Sequence, residues 1–232
     1  MKVVINNARL VQRAQNANLA SIGGMLALLA GVILPMFIRS LSGIISLTII
    51  LAGIAVSMAG IYQANRWVRK PRPEEQLSKA LKGLDDKYVL YHYPSSLPCD
   101  HVLLTPEGVV NLETVNLGGQ FSWKKGRWLE HMNMGRALRS IVEERLGDPI
   151  NSSQAVQRFL QDKLDGLTGE KITVRPIIVF THPAAELDLD PDSPVPVYRA
   201  DKLKKHVSIE GPRLSPDSYQ SIADFFEQAV KH

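Results

Sequence analysis

Two stretches without a charged residue, residues 19–38 and 41–62, limit what this 232-residue chain can fold into more than anything else in it. They hold 20 and 22 residues, and a helix that crosses a bilayer needs about 20 apolar ones. The sequence therefore predicts two transmembrane helices within residues 17–62. A basic segment, 1–16, precedes them, and a basic linker, 63–73, leads into one further domain, 74–232.

Gly23, Ala27 and Gly31 recur at four-residue spacing in the first run, and Gly53 and Ser57 do so in the second. Small residues so placed let helix backbones approach closely in lipid, where packing drives association. With only Arg39 and Ser40 between the runs, the expected arrangement is an antiparallel hairpin; a homodimer through the same small-residue faces is the alternative. Pro35 falls in the last turn of the first run, where lost backbone bonding is tolerated.

Lys2, Arg9 and Arg13 precede the first run, and Arg66, Arg69, Lys70, Arg72, Lys79 and Lys82 follow the second, against Arg39 alone between them. Basic residues stay on the cytoplasmic side, so the reading is a multi-pass protein of the cell membrane with both termini cytoplasmic. Tyr62 and Trp67 would anchor the inner interface. A cleaved signal peptide fits poorly, because the run is long for one.

The pI near 9.2 invites a nucleic-acid reading, but the charge is unevenly spread. Residues 1–82 carry 10 Lys and Arg against 2 Asp and Glu, and the remainder carries 17 against 21. The basic excess thus surrounds the apolar runs, where anionic lipid is its natural partner. Cys99 alone excludes an internal disulfide or a multi-cysteine zinc site.

Beyond the linker, a helix is expected from Glu74, with Leu77, Leu81 and Leu84 on one face. Strands are expected over 88–93, 100–105 and 109–115, the last two joined at Pro106-Glu107-Gly108. A second hairpin covers 120–123 and 127–130, joined by Lys124-Lys125-Gly126. Met134, Leu138, Ile141, Val142 and Leu146 line one amphipathic helix, and Ala155, Phe159, Leu160, Leu164 and Leu167 line the next. Residues 177–180 read as a covered strand, 197–198 as a short one, and the chain closes in a helix capped by Ser215 with Pro216 at its first position. This is a mixed α/β domain behind a helical hairpin.

Several segments, in order, resemble the nuclease-related domain, NERD, a family grouped with PD-(D/E)xK nucleases. Glu74 with its following leucines is similar to that family's opening helix. Asp100-His101-Val102-Leu103-Leu104 resembles its Asp-His-aliphatic strand, and residues 108–114 resemble its strand ending in Glu-x-Lys. Asn116, Gly119 and Trp128 fit the segment after it. Pro149 with Gln154-Ala155 resembles its Pro-x-x-Gln-Ala helix start, with two extra residues between, and 174–180 resembles its late strand.

The resemblance implies a restriction-endonuclease-like fold. It makes Asp100 and Glu113 the candidate catalytic and metal residues, with Glu74 and Gln154 as weaker candidates. Two such carboxylates would hold a Mg²⁺ that polarises a phosphodiester and lowers the pKa of an attacking water. A lysine two residues beyond the Glu would share its strand face and stabilise developing charge. That position is Val115, and loss of such a group lowers a rate by on the order of 10² to 10⁴.

Three readings follow: a membrane-tethered, catalytically impaired nuclease-related domain that binds or scaffolds; an active Mg²⁺-dependent nuclease with a relocated lysine; or a purely structural membrane protein. Lys124 and Lys125 are the candidates for relocation, although a solvated turn is the plainer reading of that pair. Arg127 and Trp128 could contact single-stranded nucleic acid, or the Trp could serve a core. The hairpin register decides whether the carboxylates meet. A two-residue loop of Glu107 and Gly108 sets both on one face, whereas a three-residue turn with a bulge at Gly108 separates them. Asp188, Asp190 and Asp192 imitate a calcium loop but include Pro191, lack the glycine and close on Arg199, so they read as a polar loop.

Overall fold

The structure, a computed structural model, describes residues 1–37, 43–68, 70–131 and 145–231. The expectations for Arg39, Ser40, Arg69, the bulk of the 134–146 helix and the inner ends of both apolar runs lie outside these residues. The described chain divides into two compact units. One comprises Met1–Asn7, Pro71–His131 and the chain from Leu146 onward, and the other lies within Ala8–Lys70.

The second unit is a pair of helices, α1 (Asn7–Phe37) and α2 (Gly43–Trp67), both long and apolar enough to cross a membrane. They are antiparallel and very close. A Cβ at Gly31 would lie 2.6 Å from Ile50 Cγ1, one at Gly53 2.9 Å from the Leu28 backbone nitrogen, and Cβ atoms at Gly24 and Gly60 would run into the backbones of Ser57 and Ser21. The expected small-residue contact is therefore present, with one correction of phase. Gly24 occupies the seam, whereas a Cβ at Gly23 would meet nothing within 4 Å; one residue rotates a helix position by about 100°. Below the apolar stretch, Arg13 stacks on the Trp67 ring at 4.2 Å and the Trp67 Nε1–H donates to Gln63 Oε1 at 3.1 Å.

Close packing of this kind makes a sharp prediction. Gly24→Leu forces side-chain atoms into the Ser57 backbone and destabilises the pair by at least the roughly 1–3 kcal/mol typical of overpacking. Gly23→Leu, one position away, changes nothing comparable. Protease resistance of the two variants in detergent checks this, and equal resistance would refute the seam.

The first unit is built on a six-stranded sheet ordered β1-β2-β3-β4-β7-β9. Its strands are β1 (Lys2–Ile5), β2 (Val89–His92), β3 (His101–Thr105), β4 (Gly108–Val115), β7 (Val174–Phe180) and β9 (Val197–Arg199). Strand β1 has no counterpart among the sequence expectations. It pairs parallel with β2, Lys2 opposite Val89 through Ile5 opposite His92. Lys2 Nζ bonds Glu227 Oε1 at 2.6 Å, and Asn6 Nδ2 donates to Ser95 Oγ at 2.8 Å. A second sheet, ordered β6-β5-β8, comprises β5 (Gly119–Lys124), β6 (Arg127–His131) and β8 (Ala185–Leu189). Strand β8 takes residues expected as polar loop: Asp188 lies on it, opposite Ser122.

Both sheet faces are covered. Helix α3 (Pro73–Ala80) and the 3-10 helix Ala200–His206 pack Leu77, Leu81 and Leu203 against Leu90, Leu103 and Leu112. Helices α4 (Pro149–Thr168) and α5 (Pro216–Lys231) pack Leu160, Leu164 and Phe226 against Tyr91, Val102 and Val109 on the other face. Helix α4 starts where Asp148 Oδ1 accepts from the Asn151 N–H at 3.1 Å and ends at Gly169, whose φ of +70° closes the last turn. Ser215 caps α5 as expected, accepting from the Ser218 N–H at 3.1 Å.

Candidate functional site

The β3–β4 register bears on where the carboxylates go. Thr105 pairs with Gly108, so the loop residues are Pro106 and Glu107, a two-residue turn set one residue earlier than the Glu107-Gly108 loop considered from sequence. Gly108 is required there because a Cβ would strike the Thr173 carbonyl. Val102 pairs with Asn111. On β4 Glu113 follows Asn111 by two and so shares its face, the one covered by α4; Asp100 immediately precedes β3.

Helix α4 reaches this face directly. Ser152 Oγ donates to Glu113 Oε1 at 3.0 Å, and Asn111 Nδ2 points to the Ser153 carbonyl at 3.5 Å. Ser152, which the sequence reading did not single out, is therefore the α4 side chain at the carboxylate. Gln154 sits on the same helix, half-buried.

The lysine position is apolar in fact as well as in sequence. Val115 is 7% exposed and belongs to a cluster with Leu117, Phe121, Ile150, Ile178 and Phe180. Lys124 Nζ lies 2.5 Å from Asp188 Oδ2 on the second sheet, and this hydrogen bond, reinforced by the Asp188 charge, raises its pKa. Lys125 and Gly126 form the turn, at φ of +53° and +77°, the signature of a two-residue type I′ hairpin. The Trp128 ring packs on Trp123 and Phe180 at 5.5 and 5.8 Å, so it serves the core.

Glu74 belongs to a separate arrangement on the α3 side. It is 3% exposed. Tyr93 Oη donates to its Oε2 at 2.7 Å, and Arg72 Nε lies 3.0 Å from its Oε1. Burial, then the Glu74 charge and hydrogen bond, push the Tyr93 phenol far above its ordinary range, so it stays protonated as the donor. Tyr93 is also left-handed, at φ +59°, a conformation that costs a non-glycine residue about 1–3 kcal/mol.

Beside it, His92 and His101 are fully buried with their Nδ1 atoms 2.8 Å apart, and Ser78 Oγ lies 3.1 Å from His92 Nε2. Burial, and secondarily the His101 charge, hold the His92 pKa well below its ordinary 6.5. The folded chain thus refuses a proton that the unfolded chain accepts. Stability is full above 6.5 and is lost as pH falls through that value, by roughly 1.4 kcal/mol between about pH 7.5 and 5.5. Thermal melts at the two pH values measure this, and His92→Gln is expected to flatten the difference; an unchanged pH slope would refute the assignment.

Mg²⁺ binds through one or two carboxylates and completes its shell with waters and substrate phosphates. Asp100 and Glu113 are half-buried hard-oxygen donors, the donor type that such an ion takes. Among the described residues no group of three or more His, Cys, Asp and Glu is gathered to hold a metal; the residues that would hold one are Asp100 and Glu113. When bound, the ion would supply charge to a phosphodiester oxygen.

Comparison with known proteins gives one positive finding: residues 70–181 match the family described as the nuclease-related domain. No curated protein and no solved structure matches the chain.

Proposed function

We propose that the chain, whose residues 70–181 match the nuclease-related domain, is a membrane-anchored module that binds phosphodiester-bearing ligands without cutting them. The observation that carries this reading is Val115, buried among apolar side chains where the family's lysine would act. Asp100 and Glu113 retain the means to hold a divalent cation, but nothing at residue 115 can stabilise charge developing on phosphorus. Lys124, engaged with Asp188, does not take over that role.

Anchoring is supported by the surface of the helix pair. Leu19, Leu26, Val32, Ile44, Leu47 and Leu51 are all more than half exposed, an apolar surface that water does not tolerate and lipid does. Strand β1 supports the topology. It shares a sheet with β2, so the segment before α1 and the domain after α2 lie on one side of the membrane, as two crossings require. The basic flanks make that side the cytoplasm. The small-residue seam is spent within the hairpin, which leaves lipid as the partner of its outer surface.

The test uses the full chain in detergent or nanodiscs with linear, nicked and single-stranded DNA and Mg²⁺ or Mn²⁺. Binding without cleavage is expected; cleavage that disappears in Glu113→Ala would overturn the reading. Single cysteines placed near residues 40 and 220 test the topology, and labelling of the latter from outside the cell would refute it.

A further inference from the structure

Strand β2 ends abnormally, and the abnormality sits beside the candidate cation site. Its side chains alternate: Leu90 faces the α3 cluster, and Tyr91 faces the α4 and α5 cluster with Val102. Continued alternation would send Tyr93 to the face of Tyr91, the α4 face on which Ser152 meets Glu113. Instead Tyr93 adopts φ +59° and its hydroxyl reaches Glu74 on α3. The turn does not release Asp100: the Tyr93 N–H donates to the Asp100 carbonyl at 2.6 Å, and the Tyr93 ring meets His101 edge-on at 4.9 Å.

We infer that Tyr93 and Glu74 are positioning residues for the Asp100 carboxylate: the buried Glu74 holds the phenol away from the carboxylate face, and the left-handed Tyr93 backbone grips Asp100 where β3 begins. A strained residue persists only where its surroundings over-determine it, and here they do. Glu74 accepts the phenol, Arg72 lies against the other carboxylate oxygen, and His101 packs on the ring. Glu74 is accordingly a support for Asp100, not a ligand beside it. This inference rests on the reading that Asp100 and Glu113 hold a divalent cation.

Mn²⁺ titration of the full chain in detergent, followed by electron paramagnetic resonance, separates the two. Loss of binding in Asp100→Asn and Glu113→Gln tests the cation reading. Tyr93→Phe, which keeps the ring and removes the hydroxyl, is expected to weaken Mn²⁺ by about tenfold, the usual effect of removing a group that orients a ligand. Glu74→Gln keeps one acceptor oxygen for the phenol but turns its amide toward Arg72, so it should weaken Mn²⁺ only partially, as Tyr93→Phe does. Were Glu74 itself a ligand, that variant would fail as Asp100→Asn does, and the inference would fall.

Hydrogen exchange supplies a readout that needs no metal. Tyr93→Phe should accelerate exchange of residues 100–102 about tenfold while β4 is unchanged, by the same orienting argument. If the wild type binds no Mn²⁺ but this local acceleration appears, the cation reading fails and the positioning role stands. Unchanged exchange in Tyr93→Phe would overturn the positioning role whatever the metal does.

Discussion

A protein of residues 71–232 produced without the first six residues will aggregate, and the same protein with residues 1–6 joined ahead of residue 71 will be a soluble monomer. The reason is β1. Without it, β2 becomes the sheet edge, and β2 is buried along its whole length, Val89 through His92. An exposed apolar edge strand is a template for pairing with other chains. The loss also strips Met1 and Val4 from the clusters on the two sheet faces. Burying one such side chain contributes about 1.5–3 kcal/mol, against a total stability of about 5–15 kcal/mol for a domain.

Restoring β1 is feasible because both cut ends lie on the sheet. Asn6 bonds β2 and Ser95 at one edge, and the Pro71 carbonyl accepts from Asn116 just beyond β4. Three strand spacings of about 4.8 Å separate those strands, and a Gly/Ser linker of about 15 residues reaches roughly 20 Å. Size-exclusion chromatography of the two proteins decides the matter. If the shorter one is equally monomeric and melts at the same temperature, the N-terminal strand is not part of the domain.

That strand also marks where sequence reasoning stops. Lys2-Val3-Val4-Ile5 is too short for a period, and its partner lies more than 80 residues away across both apolar helices. Only tertiary pairing distinguishes it from a basic tail. Helix α5, by contrast, was legible from Ser215 and Pro216 at its start, and α4 from its apolar spacing, although Ala155 and Leu167, expected on the inner face, are exposed while Ser153 and Val156 are buried. Strand β8 was missed because Asp188 faces outward to Lys124, which makes a strand look like an acidic loop.

The candidate site divides the same way. The types and spacing of Asp100, Glu113 and Val115 were visible, and so was the dependence of their meeting on the turn. The turn itself was not, since Pro106-Glu107 and Glu107-Gly108 are both acceptable loops, and the choice falls to how β4 passes Thr173. Ser152 and Tyr93 carry no local signal: one is a helix serine, the other a tyrosine whose positive φ no neighbour announces. The glycine seam was read at four-residue spacing, whereas Gly24 and Gly31, and Gly53 and Gly60, lie seven apart in it and Gly23 lies outside it, because four-residue spacing drifts around a 3.6-residue helix.

The substitution with the largest expected gain is Val115→Lys. Residue 115 follows Glu113 by two on β4 and so lies on the same face, about 7 Å further along the strand. From there a lysine arm extends back along the face toward the carboxylates, where its ammonium group would meet a bound phosphodiester. Restoring one charge-stabilising donor is expected to raise Mg²⁺-dependent cleavage by on the order of 10² over wild type, and Glu113→Gln in the same protein should abolish the gain. Val115→Met, which fills the space without a charge, should cleave no better than wild type.

The gain is opposed by burial, because the new arm displaces apolar contacts with Ile150 and Phe180. A loss of about 1–3 kcal/mol is expected, which for a domain of this size lowers the melting midpoint by roughly 2–4 °C per kcal/mol. A folded Val115→Lys protein that cleaves nothing would show that the two carboxylates no longer form a site a lysine can complete. Wild-type cleavage at the variant's rate would show that the valine never silenced it.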